Sequence, residues 1–166
     1  MTRPTLYAWL AMGALLIFDQ AVKIWVRAEI PMFRSTELIP NLIDLTHVEN
    51  KGVSFSFLGS LNDGVRLPLL VGVSLVAIGL LVYFWWSNKS QFNTYAHLAF
   101  VLILPGAVGN LIDRAVYGTV TDYFHFRFFS TSFFVNNLAD IFISAGVVAY
   151  IIGMLKDQSK GNAPGK

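Results

Sequence analysis

Long apolar runs separated by short polar segments set the pattern of this chain. Residues 6–26, 67–86, 95–112 and 133–155 are each apolar enough, over about 20 residues, to cross a hydrocarbon layer as a helix. The first run resembles a secretory leader, because Arg3 precedes the stretch 6–18, but no small-residue cleavage site of the A-x-A kind follows. The run resumes beyond Asp19 and Gln20 as Ala21-Val22-Lys23-Ile24-Trp25-Val26, so it reads as one uncleaved spanning helix. Residues 27–66 are mixed and polar, with a turn signal at Asn50-Lys51-Gly52 and period-two alternation over Val53-Ser54-Phe55-Ser56-Phe57. The expectation is an all-α membrane protein of four transmembrane helices, with a small external β platform between helices 1 and 2.

Residues 113–132 read as a second external loop, whose aromatics Tyr117, Tyr123, Phe124, Phe126, Phe128 and Phe129 suit contact with lipid or substrate. Residues 156–166 read as a disordered polar tail. With no linker and no internal repeat, 1–166 reads as a single integral membrane domain.

Composition supports the membrane reading. Charged residues make up 13 % of the chain, against about 25 % in soluble domains. A net charge of +2 without a long basic run lacks the footprint of a nucleic-acid binder. The absence of cysteine removes disulfides, thiol nucleophiles and thiolate metal ligands. Four spans put both termini on one side. Arg3, Lys89, Lys156, Lys160 and Lys166 are denser there than Arg27, Arg34, Lys51, Arg66, Arg114 and Arg127 on the other, which favours cytoplasmic termini.

Ionisable and amide side chains in membrane helices are costly and mark candidate sites. Asn110, Asp113 and Arg114 fall at i, i+3 and i+4 near the end of span three, and Asn137 and Asp140 stand three apart at the start of span four. These ends meet at one surface, with Asp122 between them. Two aspartates with amide neighbours, and no Ser/His pair at useful sequence spacing, suggest hydrolysis by a carboxylate pair sharing a proton. Asp122 and Asp140 are the candidate pair. Taken alone, Asp140 reads equally as a helix cap; Asp113 with Arg114, and Asp19 with Lys23, read as ion pairs. His47, His97 and His125 are scattered and suggest no metal site. Gly72, Gly79, Ala145, Ala149 and Gly153 suggest close helix packing. The rival classes are an intramembrane relay through Asp19, Lys23, Asp113 and Asp140, and a non-enzymatic scaffold.

Five blocks carry a family resemblance: Asp19-Gln20-Ala21-Val22-Lys23, Asn50-Lys51-Gly52-Val53-Ser54-Phe55-Ser56, Gly109-Asn110-Leu111-Ile112-Asp113-Arg114, Gly118-Thr119-Val120-Thr121-Asp122-Tyr123-Phe124 and Asn137-Leu138-Ala139-Asp140. In this order, on four spans, they resemble the lipoprotein signal peptidases (signal peptidase II) over nearly the whole chain. The resemblance implies an aspartic endopeptidase of the bacterial inner membrane, with its site at the outer surface. It would remove signal peptides from diacylglyceryl-modified prolipoproteins, cutting just before the lipidated cysteine. Asp122 and Asp140 match the family's catalytic aspartates, Asn50, Gly52, Asn110, Arg114 and Asn137 its supporting polar residues, and Asp19 a further characteristic position. It also implies no metal or organic cofactor, contact with membrane lipid and sensitivity to globomycin-type inhibitors; a monomer is the expectation for the assembly, which the sequence leaves open. Val53, Ser54 and Asn136 depart from the pattern, which commonly has two alanines after the glycine and Phe at the last position; they bear on substrate preference.

Overall fold

The computed structural model describes residues 3–52 and 62–161. Its elements in chain order are α1 (Arg3–Glu29), β1 (Ser35–Ile39), β2 (Ile43–Asn50), α2 (Asp63–Asn88), α3 (Thr94–Tyr117), β3 (Val120–Phe128), β4 (Thr131–Asn136) and α4 (Leu138–Gly161). All four helices contain a stretch long and apolar enough to cross a membrane. Their outward faces agree: Ile17 and Tyr83 are each 71 % exposed, and no residue in the most apolar window of α2 is buried. Such surface is stable against lipid and costly against water. The alternating segment 53–57 lies outside the described residues.

Side-chain caps set the helix ends. Asn62 accepts the N–H of Val65 at the start of α2, and Asn93 that of Ala96 at the start of α3. Gly118 closes α3 in the left-handed region (φ 78°), its N–H on the Arg114 carbonyl. Inside the bundle, Trp85 stacks on Phe100 at 4.6 Å, with Met12 and Leu104 completing the buried cluster. Helices α3 and α4 approach where side chains are missing. A Cβ on Gly106 would meet the Ala139 carbonyl oxygen at 2.5 Å, and one on Gly146 the Ala99 carbonyl oxygen at 2.9 Å. Gly153, against Tyr95 and Asn93, and buried Ala149 fit the packing expectation, whereas Gly72 and Gly79 face open space.

The strands form one antiparallel sheet in the order β1-β2-β3-β4. Half of the platform therefore comes from the segment between helices 3 and 4, which the sequence presented as a loop. Span four is corrected with it: residues 133–136 belong to β4, and the helix begins at Leu138. A short apolar run such as Phe133-Phe134-Val135 has no period that separates strand from helix. Of the tail expected to be disordered over 156–166, residues 156–161 continue α4, and 162–166 lie outside the described residues. In β2 a bulge between Leu45 and Val48 adds one residue and sets Val48 opposite Asp122. This register, with the cap at Gly118, fixes where Asp122 stands relative to the head of α4.

Candidate active site

Three asparagines hold the two candidate carboxylates, and each has its amide orientation fixed by a donor on its oxygen. Asn50 Oδ1 accepts the N–H of Gly52 (2.8 Å), so its Nδ2 donates to Asp122 Oδ2 at 2.9 Å. Gly52 sits at φ 73°, a conformation that favours glycine. Asn137 caps α4 by accepting the Asp140 N–H (3.0 Å), so its Nδ2 donates to Asp122 Oδ1 at 2.6 Å. Asn110 Oδ1 accepts from Lys23 Nζ (2.9 Å), so its Nδ2 donates to Asp140 Oδ1 at 2.8 Å. Reversing any of these amides would set donor against donor. The cap of α4 is thus Asn137, and Asp140 stands one turn inside it.

Beneath the pair lies a buried ionic cluster. Lys23 Nζ is 3.0 Å from Asp19 Oδ2 and 3.2 Å from Asp113 Oδ2, and all three side chains are fully buried. Arg27 contacts Asp113 Oδ1 at 3.0 Å and lies over the Tyr117 ring. The Asp19–Lys23 pair read from the sequence is present. Asp113 is corrected: it faces α1, pairing with Lys23 and Arg27 rather than with Arg114. Residues one apart on a helix point about 100° away from each other, and Arg114 turns toward the groove beside α2. A Cβ on Gly109 would come within 2.5 Å of Asp19 Oδ2, so the bare backbone there admits the acidic side chain.

Two clefts reach the aspartates. Asp122 lines one under the sheet, about 600 Å³, with Asn50, Glu49, Lys51 and Phe134. Asp140 lines a groove of about 450 Å³ between α2, α3 and α4, with Asn110, Arg114, Ser74 and apolar walls including Ile78, Leu81 and Ile143. Arg114 Nη1 reaches the Asn110 carbonyl at 3.4 Å, while its buried Nε has no hydrogen-bond partner among the described residues.

Burial pushes the Asp122 carboxyl up to about 6, against hydrogen bonds from Asn50 and Asn137, and the Asp140 charge adds to the rise. A carboxyl raised on folding favours the folded state fully below its ordinary value of 3.8 and loses that contribution as pH climbs through about 6. The thermal stability of the wild type relative to Asp122→Ala is therefore expected to fall by about 2–3 kcal/mol between pH 4 and pH 7. Parallel melting curves for the two proteins in detergent across that range would contradict this. Neighbouring Tyr123 is fully buried, and its hydroxyl accepts the Leu138 N–H at 3.1 Å, tying β3 to the head of α4. Burial raises its phenol above the ordinary range.

Glu49 behaves oppositely. Burial would raise its pKa, but hydrogen bonds with Thr119, His47 and Thr121 and the charge of Arg27 hold it below the ordinary carboxylate value. It joins β2 to β3 and to α1. Sequence reasoning missed Lys23, Asp113 and Tyr123 as supports of the site; of these, only the i, i+4 spacing of Asp19 and Lys23 signalled a contact. It also saw no useful Ser/His pair, yet the sheet sets Ser132 Oγ 2.7 Å from His125 Nε2, with Nδ1 3.3 Å from Asp44. Asp44 is already held by Arg127 Nε at 2.8 and 3.0 Å. This constellation reads as a tie across three strands.

Four apolar helices carrying an amide-clamped pair of aspartates above a buried ionic cluster define a polytopic membrane protein with an acidic site at one end of its bundle. The sequence profile of the family described as Signal peptidase (SPase) II matches residues 11–156. The lipoprotein signal peptidases of Brucella ovis and of Brucella melitensis biotype 1 are each 37 % identical over 136 residues, covering 82 % of this chain and 81 % of theirs. A solved bacterial membrane enzyme, determined by the in meso method at 2.3 Å resolution, superposes with a TM-score of 0.80 at 28 % identity, covering 96 % of this chain and 94 % of that one. The chain belongs to the signal peptidase II family and is a membrane-embedded peptidase.

Proposed function

We propose that this peptidase removes the signal peptide from diacylglyceryl-modified prolipoproteins, cutting just before the lipidated cysteine, with Asp122 and Asp140 as its catalytic pair. The observation that supports this most is the amide clamp: both Asp122 oxygens and one Asp140 oxygen accept side-chain donors. No hydrogen bond to Asp140 Oδ2 is found among the described residues, and Asp140 borders an apolar groove. Such a pair holds one proton between two carboxylates. The ionised carboxylate takes a proton from water, and the resulting hydroxide attacks the peptide carbonyl carbon. The protonated partner gives its proton to the carbonyl oxygen. As the tetrahedral diol collapses, the proton taken from water passes to the leaving nitrogen, the C–N bond breaks, and one diol hydroxyl returns its proton to the carboxylate that had given one up, which restores the shared proton.

The groove walls suit the apolar signal segment and Arg114 its carbonyl groups, while the acyl chains stay in lipid. In this reading the chain lies in the bacterial inner membrane with cytoplasmic termini and the aspartates at the outer surface. It acts as a monomer without metal or organic cofactor, and a globomycin-type cyclic peptide blocks it at the substrate position. Purified protein in detergent is expected to shift a diacylglyceryl-modified prolipoprotein on a gel, to leave the unlipidated form uncut, and to be inhibited by globomycin. Equal cleavage of both forms, or of neither by folded protein, would overturn the proposal.

A further inference from the structure

The ammonium of Lys23 lies two contacts from both aspartate segments. Its Nζ donates to Asn110 Oδ1 at 2.9 Å and forms ion pairs with Asp19 Oδ2 and Asp113 Oδ2 at 3.0 and 3.2 Å. Each acceptor residue makes one further bond toward the site. Asp19 Oδ1 accepts the backbone N–H of Ala139 (3.0 Å), the residue before Asp140. Asp113 Oδ2 accepts the backbone N–H of Thr121 (3.1 Å), the residue before Asp122. Asn110 donates to the Asp140 carboxylate itself (2.8 Å).

We infer that Lys23 is a positioning residue for the reaction: it fixes the separation of the Asp122 and Asp140 segments through Asp19 and Asp113, and the orientation of the Asn110 amide toward Asp140. This rests on the proposed roles of the two aspartates. A lysine is suited to the task because it is a donor only, with three donors around one point. Asn110 must turn its oxygen to Lys23 and therefore its nitrogen to Asp140. The two carboxylates it draws together come from α1 and α3, and the backbones they hold belong to α4 and β3, so four elements are referred to one atom. In the cluster Asp19 and Asp113 face Lys23 and Arg27, and Glu49 adds a third carboxylate beside Arg27. A simple ion pair would need only one of these contacts.

Removing Lys23 alone leaves Asp19 buried without a cation, so the test uses the charge-balanced double variant Asp19→Asn with Lys23→Met. The amide introduced at position 19 keeps an oxygen for the Ala139 N–H. A displacement on the order of 1 Å at the reacting groups costs about a hundredfold in rate. The folded variant is expected to lose about a hundredfold in kcat on a diacylglyceryl-modified prolipoprotein, with KM within about threefold of wild type. Lys23→Arg preserves the charge if the first variant does not fold. Its planar fork does not converge on three acceptors, so kcat is expected to fall at least about tenfold with KM held. A purely structural role would scale activity with the folded fraction and leave kcat per folded molecule unchanged. Either folded variant with kcat within about threefold of wild type would overturn the inference. Asp140→Asn is the control: if it too stays active, the aspartate assignment has failed rather than the role of Lys23.

Discussion

Substitution of Asp122 or Asp140 by asparagine is expected to lower kcat for the lipidated substrate by about 10²–10⁴-fold, the range that a positioned proton-transfer group contributes. The change keeps side-chain volume and removes the titratable group. In D140N the amide oxygen still accepts from the Asn110 side chain, so the clamp on that side survives. In D122N the new amide meets two donors with only one acceptor, so one of its contacts with Asn50 or Asn137 is lost. D122N is therefore expected to bind more weakly as well as turn over more slowly, whereas D140N loses turnover with KM near wild type. Single-turnover cleavage under excess enzyme, with monodisperse elution and a cooperative melt as the check on folding, separates the two effects. A well-folded D140N with more than about a hundredth of wild-type kcat would remove Asp140 from the chemistry.

The four spans were legible because lipid demands runs of apolar residues about as long as the bilayer is thick, and composition alone reports them. The Asp19–Lys23 contact was legible because i, i+4 spacing is local. Asn137 and Asp140 were visible as a pair for the same reason, although the spacing did not tell that Asn137 was the cap. Contacts between elements were hidden. Asn50 and Asp122 are 72 positions apart, and their bond depends on a register that a bulge in β2 sets. The partner of Asp113 was misread because neighbouring residues in sequence face different ways on a helix. The β3–β4 hairpin was missed because its aromatic residues suit a lipid-facing loop as well as a strand. The family blocks named Asp122, Asp140 and their amide neighbours together without showing what holds them apart.

Asp113→Ala is expected to destabilise the protein by about 3–5 kcal/mol, the cost of breaking a buried ion pair from one side. Asp113 is fully buried and serves two cations, Lys23 and Arg27, together with the Thr121 N–H. Its loss leaves Lys23 with Asp19 and Arg27 with the more distant Glu49, at 3.9 Å, and β3 without the anchor next to Asp122. The variant is expected to accumulate poorly and to melt well below wild type in detergent. The Asp113–Arg114 pairing suggested by sequence predicts an equal loss for Arg114→Gln, because either half of a pair would strand the other. The observed geometry predicts otherwise. Among the described residues Arg114 hydrogen-bonds only the Asn110 carbonyl, at 3.4 Å, and it lines the groove beside Asp140, so Arg114→Gln should cost under about 1 kcal/mol of stability while impairing cleavage. Equal destabilisation by the two substitutions would restore the sequence pairing and contradict the ionic cluster. A large loss for Asp113→Ala alone would establish that the floor beneath the aspartates is held from α1.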